Sequence, residues 1–199
     1  MRIRLAIAAV VTLLGVLGLA VQPAYAWVYS GDENGNNIVQ VQNTKDNSTR
    51  AFSLAAVTGN PGSTVGNQNT AYATASGTGN RTVATAIQVL IVEGNPTNYQ
   101  PQNLAVALNN QCTSCQTFAY ANQVILQPHH QVNLSVDAQN QLNRLNFQAF
   151  ETSWSSEPFP QMSADLDNIT NQMVAIVQGE IQRNGPAASE QENRNTDEH

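Results

Sequence analysis

Charge, cysteine and aromatic side chains are all scarce in this chain. Charged residues make up 11% of the 199, aromatics 6%, and there are two cysteines. Eight Lys and Arg stand against 14 Asp and Glu. That balance argues against a nucleic-acid or polybasic membrane role, because both depend on Lys and Arg facing phosphate. The acids are dispersed or terminal, so no dedicated cation-binding face is evident either. Beyond the N-terminus there is no apolar run long enough to span a bilayer as a helix. G-x-S-x-G elbows, phosphate loops and carboxylate-rich clusters are also missing. No catalytic residue is therefore assigned, no cofactor is expected, and the chain reads as a non-enzyme.

The one long apolar run is Leu5–Val21. Arg2 and Arg4 precede it, and Pro23 followed by Ala24-Tyr-Ala26 closes it. A short positive segment, an apolar core and small residues at −3 and −1 form a signal peptide, with cleavage expected before Trp27. There is no lipobox cysteine. The 173 residues that remain carry six basic and 14 acidic side chains and are rich in Asn and Gln. This neutral, hydrogen-bonding surface suits a secreted or extracytoplasmic protein, whose partner, a protein or the envelope, it does not identify. Residues 27–36 read as a loose lead-in.

The most informative feature is an internal repeat. Asn69-Thr-Ala71-Tyr-Ala73 leads to Thr82-Val-Ala84-Thr-Ala86-Ile-Gln88-Val. Asn103-Leu-Ala105-Val-Ala107 leads in the same way to Thr117-Phe-Ala119-Tyr-Ala121-Asn-Gln123-Val. The offset is 34 before the connection and 35 after it. A degenerate first copy starts at Asn37-Ile-Val39-Gln-Val41 and resumes at Ala51-Phe-Ser-Leu-Ala-Ala-Val57. Strict alternation means strands, since successive side chains point to opposite faces. The connections, such as Gly77-Thr-Gly79-Asn80, are turn chemistry. Each copy therefore reads as an antiparallel β-hairpin, three of them over residues 37–132. One face is small (Ala71, Ala73, Ala84, Ala86, Ala105, Ala107, Ala119, Ala121), which permits close approach of another layer. The other is larger, with Val83, Ile87, Val89, Leu104, Val106, Leu108, Phe118 and Val124. Neither is charged, so both are expected to be at least partly covered.

Beyond residue 132 the period changes. Ala138, Leu142, Leu145, Ala149 and Phe150 fall at helical spacing behind Ser135 as N-cap, with Asp137 in the first turn. Leu166, Ile169, Met173, Ile176 and Val177 do the same behind Ser163. Pro158 and Pro160 separate the two. Residues 133–182 thus form a helical hairpin, with helices expected at about 136–152 and 163–182, whose apolar stripes need the sheet as partner. Residues 183–199 have no apolar periodicity and read as a disordered tail. The fold class is α+β: an antiparallel sheet of three repeated hairpins followed by a C-terminal helical hairpin.

Cys112-Thr-Ser-Cys115 lies in the third connection and admits three readings. A disulfide closing the turn fits an oxidising destination and a total of two cysteines. A metal site would need His129 and His130 as well, but C-x₂-C-x₁₃-H-H is not a zinc spacing, and adjacent histidines seldom point at one ion. A redox pair would want its first cysteine at a helix N-terminus, where a β-turn is expected instead. The disulfide Cys112–Cys115 is the favoured reading. The histidines follow Pro128 in a polar loop and read as exposed.

The run Asn103-Leu-Ala-Val-Ala-Leu-Asn109, Cys112-x-x-Cys115, Thr117-Phe-Ala-Tyr-Ala121-x-Gln123 resembles a group of uncharacterised exported bacterial proteins. In these, N-x-A-x-A-x-N-x-x-C-x-x-C-x-T-x-A-x-A-x-Q recurs in tandem before an L-[ST]-initiated helix pair. The resemblance covers residues 37–182 and includes Leu134-Ser135. Such proteins carry the label "peptide zinc metalloprotease" by association, which would imply a metal-binding accessory or metallopeptidase-associated domain. This chain has no H-E-x-x-H and no acid within helical reach of His129 and His130. Its second copy also departs from the pattern, with Thr78-Gly79-Asn80 where a second C-x-x-C would stand. The expected function is a secreted or cell-surface non-catalytic structural or accessory module. A metal-binding role and a thiol–disulfide role through Cys112 and Cys115 are the alternatives.

Overall fold

The computed structural model describes residues 35–60, 62–128, 130–186 and 188–199. The segment expected to be a signal peptide (1–26) and most of the expected lead-in lie outside the described residues. Among those described, the elements in order are β1 (Asn37–Asn43), β2 (Thr49–Asn60), β3 (Thr64–Val65), β4 (Gln68–Thr78), β5 (Arg81–Val92), β6 (Asn98–Tyr99), β7 (Gln102–Thr113) and β8 (Gln116–Gln127). Helices α1 (Val136–Trp154) and α2 (Phe159–Asn184) follow, then β9 (Ser189–Glu198). The class is α+β, mostly strand with a C-terminal helical pair, and no described helix is long and apolar enough to cross a membrane.

The repeats are real, but they are not hairpins. The two strands of a copy do not pair with each other. Each pairs, in parallel, with its counterpart in the next copy. One sheet runs β1-β4-β7 and the other β2-β5-β8-β9, while β3 and β6 form a short third face. Each copy is thus one level of a stack: up one sheet, round an arc, along the second sheet and back past the third face. Asn37 stands over Asn69 and Asn69 over Asn103, Val39 over Ala71 and Ala105, Ala84 over Ala119, Gln88 over Gln123. The sequence repeat is therefore the ladder register itself. Period-two alternation assigns a residue to a face and leaves open which strand lies alongside, so it could not separate hairpins from stacked arches.

The small face is the space between the two main sheets. Val39, Val41, Ala71, Ala73, Ala84, Ala86, Ala107, Ala119 and Ala121 form one buried cluster there. At the second and third levels the alanines leave room for close approach of the sheets, while at the first level Val39, Val41, Phe52 and Leu54 take the same positions. The larger face of β5 and β8 is the conventional core. Val83, Ile87, Val89, Phe118, Tyr120 and Val124 meet Leu142, Leu145, Ala149, Leu166, Met173 and Val177 of the helices. The expectation that both faces are covered fails on β7. Leu104 is 51% and Leu108 43% exposed, because the helices cover only the β2-β5-β8 sheet.

Helix α1 starts as its sequence requires. The Ser135 hydroxyl oxygen accepts from Ala138 N–H at 3.2 Å and Asp137 sits in the first turn. Helix α2 begins earlier than the apolar pattern indicates, at Phe159, and Ser163 lies inside it rather than capping it. Pro160 falls in the first turn, where its missing N–H costs nothing, so a residue taken as a separator is part of the helix.

The tail is the largest correction. Residues 189–198 form β9, antiparallel to β8 with Phe118 opposite Glu198 and Gln127 opposite Ser189. Nine of its ten residues are exposed and none is apolar. Apolar periodicity cannot detect such a strand, because hydrogen bonds rather than burial hold it.

Ala119 is fully buried in the narrow inter-sheet space. Replacing it with Leu should overpack that space and destabilise the fold by about 1–3 kcal/mol or more. Urea denaturation checks this; a change within about 0.5 kcal/mol would show that the sheets separate freely.

Candidate functional site

The sequence candidates lie at opposite ends of a strand. Cys112 and Cys115 occupy the arc between β7 and β8, at disulfide distance, with Cα atoms 5.8 Å apart. His130 follows the far end of β8, half-buried beside α2, with its Nε2 3.3 Å from the Ile181 carbonyl. Its ring occupies the room that the missing Cβ of Gly185 leaves. Twelve residues of β8 at about 3.3 Å each separate the two places by roughly 40 Å. The cysteines and His130 cannot hold one ion. His129 lies outside the described residues. Among the described residues no group of three or more His, Cys, Asp or Glu is placed to hold a metal.

The arcs explain why one of them carries the cysteines. They stack as the strands do: Asn47 N–H donates to the Thr78 carbonyl and Gly79 N–H to the Thr113 carbonyl, both at 2.8 Å. One position in each arc is left-handed, occupied by Asn47 (φ 54°), Gly79 (φ 64°) and Ser114 (φ 57°) in turn. Gly77 is needed for a second reason besides its φ of 97°, since a Cβ there would lie 2.3 Å from Asp46 Oδ1, which accepts from Thr78 N–H. Each arc is then tied differently. In the first, Asn43 Nδ2 donates to the Ser48 carbonyl at 3.0 Å and Ser48 Oγ donates to Asn43 Oδ1 at 2.9 Å. In the second, Asn80 Nδ2 donates to the Ser76 carbonyl at 2.6 Å. In the third, entered from a bulge in β7, Cys112 and Cys115 supply the tie. The second arc, which has no cysteine, is thus held by a side-chain amide where the third carries the cysteine pair.

Beside the third arc is an open cleft of about 620 Å³, lined by Arg81, Cys115, Pro158, Phe159, Glu198 and His199 among others. The Arg81 guanidinium closes one wall. It donates to Gln116 Oε1 at 3.1 Å and to the Glu157 carbonyl at 2.7 Å, and lies 4.3 Å from the Phe159 ring centroid. Through Gln116, the Glu157 carbonyl and the Phe159 ring, Arg81 ties the start of α2 to the stack.

Two polar systems went unread in the sequence. One is interior: Asn37 Nδ2 donates to Asn69 Oδ1 at 2.8 Å, and Asn69 Nδ2 to Asn103 Oδ1 at 2.7 Å. Alongside, Gln123 Nε2 donates to Gln88 Oε1 at 2.8 Å, and Gln88 Nε2 to the Gly35 carbonyl at 2.7 Å. The signal was present, since the same amide recurs at the same place in the repeat. The other system joins β8, α2 and β9. Buried Tyr120 donates its hydroxyl to Asp167 Oδ1 at 2.7 Å and accepts from Asn122 Nδ2 at 3.2 Å. Arg194 of β9 pairs with the same Asp167 oxygen at 2.6 Å. Asn122 Nδ2 also donates to Glu192 of β9 at 2.9 Å. No sequence signal marks this network, because its members come from three distant segments.

Comparison with family models, with curated proteins and with solved structures returns no match. The repeat pattern and the geometry stand on their own.

Two outcomes are expected here. Burial, and then the neighbouring Asp167 carboxylate, push the Tyr120 phenol well above its ordinary value. The unfolded chain loses that proton at about pH 10 while the folded chain keeps it, so stability is full below pH 10 and falls as pH rises further. Denaturation curves at pH 8 and pH 11 for the wild type and Tyr120→Phe check this, and an equal loss in both would show that Tyr120 is not the source. Replacing Cys112 and Cys115 together with Ser should preserve the fold and cost less than the roughly 3 kcal/mol assigned to a 15-residue loop, because the closed loop is much shorter.

Proposed function

We propose that this chain is an exported, non-catalytic structural module of the bacterial cell surface or its surroundings. The observation that carries the reading is where the repeated residues go. The recurring Asn, Ala and Gln lie between the sheets, mostly buried, with Asn37 over Asn69, Ala84 over Ala119 and Gln88 over Gln123. A repeat used for catalysis or ligand capture would present its recurring groups to solvent; this repeat uses them to build a rigid stack. The cysteine pair at disulfide distance and the signal-peptide pattern are both consistent with an oxidising destination. The half-exposed Leu104 and Leu108 on the outer face of β7 and the amide-rich surface give such a module a side to present to an envelope or protein partner.

Expression of the whole gene in a bacterial host, with recovery from the extracytoplasmic fraction, tests the reading. Intact mass should show an N-terminus at Trp27 and a deficit of about 2 Da against the dithiol, one hydrogen lost per sulfur. Elemental analysis should show no stoichiometric zinc. Retention of residues 1–26 in the cytoplasm would overturn export, and bound zinc together with peptidase activity would overturn the non-catalytic part.

A further inference from the structure

Strand β9 covers the edge of β8 and is itself left with a free side. It is the terminal strand of the β2-β5-β8-β9 sheet, so no described strand pairs with its far edge. The register shows which groups face that way. Thr117 and His199 exchange both N–H···O bonds, at 2.7 and 2.9 Å, and so form a hydrogen-bonded pair. From there the antiparallel ladder alternates. Asp197, Asn195, Asn193, Gln191 and Ser189 turn their backbone groups to β8, opposite Ala119, Ala121, Gln123, Ile125 and Gln127. Glu190, Glu192, Arg194, Thr196 and Glu198 turn theirs to the free side. Their N–H and C=O groups lie there in strand geometry, on a strand of which nine residues in ten are exposed.

Charge sets what such an edge accepts. The side chains of the same five residues share one face, the one toward α2, where Arg194 pairs with Asp167 at 2.6 Å and Glu190 accepts from Gln178 Nε2 at 2.5 Å. Arg194 is thereby matched. Among the described residues Glu190, Glu192 and Glu198 have no Lys or Arg partner, and Glu192 accepts from the neutral Asn122 amide. A second β9 is a poor neighbour for this edge. Antiparallel pairing centred on Arg194 would set Arg194 against Arg194 and Glu190 against Glu198, and like charges directly opposite destabilise a pair. The charges thus keep identical edges apart and leave the edge open to a strand of the other sign.

We propose that the free side of β9 takes up one extended segment of a basic partner polypeptide by strand addition. Backbone bonds to the five residues hold the added strand, and its alternate side chains decide which segment is accepted. Residues directly opposite lie on the same face, so cations belong opposite Glu190, Glu192 and Glu198, and an uncharged residue belongs opposite Arg194. The occupant is an extended polypeptide because alternating donors and acceptors along an edge are matched by another strand, and it is cationic because three carboxylates without a basic partner flank those groups. This gives the structural module a class of partner. It rests on the pairing of β9 and not on export, whose own test is the mature N-terminus.

The experiment uses the purified whole chain and a fluorescein-labelled peptide, Lys-Thr-Val-Thr-Val-Thr-Lys-Thr-Lys. Laid antiparallel to β9, it sets its three Lys opposite Glu198, Glu192 and Glu190. Fluorescence anisotropy should show saturable binding that falls several-fold as salt is raised to about 1 M, where the screening length is about 3 Å. The same peptide N-methylated at the residues opposite Glu192, Arg194 and Thr196 should not bind, because those N–H groups are the ones that face β9. A peptide with Glu in place of Lys should not bind either. In the protein, Thr196→Pro removes one outward N–H and leaves the pairing with β8 intact, as proline allows on an edge strand. It should weaken binding several-fold with the unfolding midpoint unchanged. Absence of saturable binding by the parent peptide would overturn the proposal. So would equal binding of the N-methylated peptide, since charge without strand pairing would then account for the contact. If Thr196→Pro lowers the midpoint, the N-methylated peptide decides.

Discussion

Parallel in-register stacking places each residue over its counterpart one repeat away, about 4.8 Å along the ladder. Every interior column must then be filled by side chains that accept their own kind as neighbours. Alanine does so sterically, and asparagine and glutamine do so chemically, because an amide is both donor and acceptor and can bond to an identical group on each side. A buried carboxylate or ammonium could not, since like charges at that spacing repel in a low dielectric. The shortage of charge in the chain and the surplus of amides both follow from this constraint. So do the narrow inter-sheet space and the flat platform on which the helices settle.

The two main sheets share one construction and differ in what covers them. Outward from β5 and β8 come Val83, Ile87, Val89, Phe118 and Tyr120, and the helices bury all five. Outward from β7 come Leu104, Val106 and Leu108, which no described element covers. The helices are therefore a one-sided clamp. Through Asp167 they also reach β9, so the covering layer and the terminal strand are joined by an ion pair and by the Arg194–Ser163 and Gln178–Glu190 hydrogen bonds.

Much of this was legible in the residues. The alignment that overlays Asn37, Asn69 and Asn103 predicts the ladder register residue for residue, including the extra residue that appears as a bulge in β7 after Asn109, opposite Ala75. The Ser135 cap and the Ala138, Leu142, Leu145, Ala149 stripe were plain from spacing. What misled was the turn chemistry. Gly77, Gly79 and Asn80 suit a hairpin and an arc equally, because both need left-handed positions. The decisive clue was the buried kind of repetition: an amide that recurs within an otherwise apolar frame asks for a copy of itself as partner, and only parallel stacking supplies one. The tail was illegible for the opposite reason, since the features of β9 that matter are backbone pairing and charge.

The position of β9 at the end of the chain has a consequence for assembly in time. Strands β7 and β8 are complete at residue 127, and their closing strand is not finished until residue 198. At synthesis rates of about 5–20 residues per second, roughly seventy residues mean several seconds during which the newest edge has no cover. The helices that form in that interval mask the side of the sheet and leave its edge open. Wherever the chain folds from its N-terminus onward, its last ten residues decide when the sheet gains its final edge.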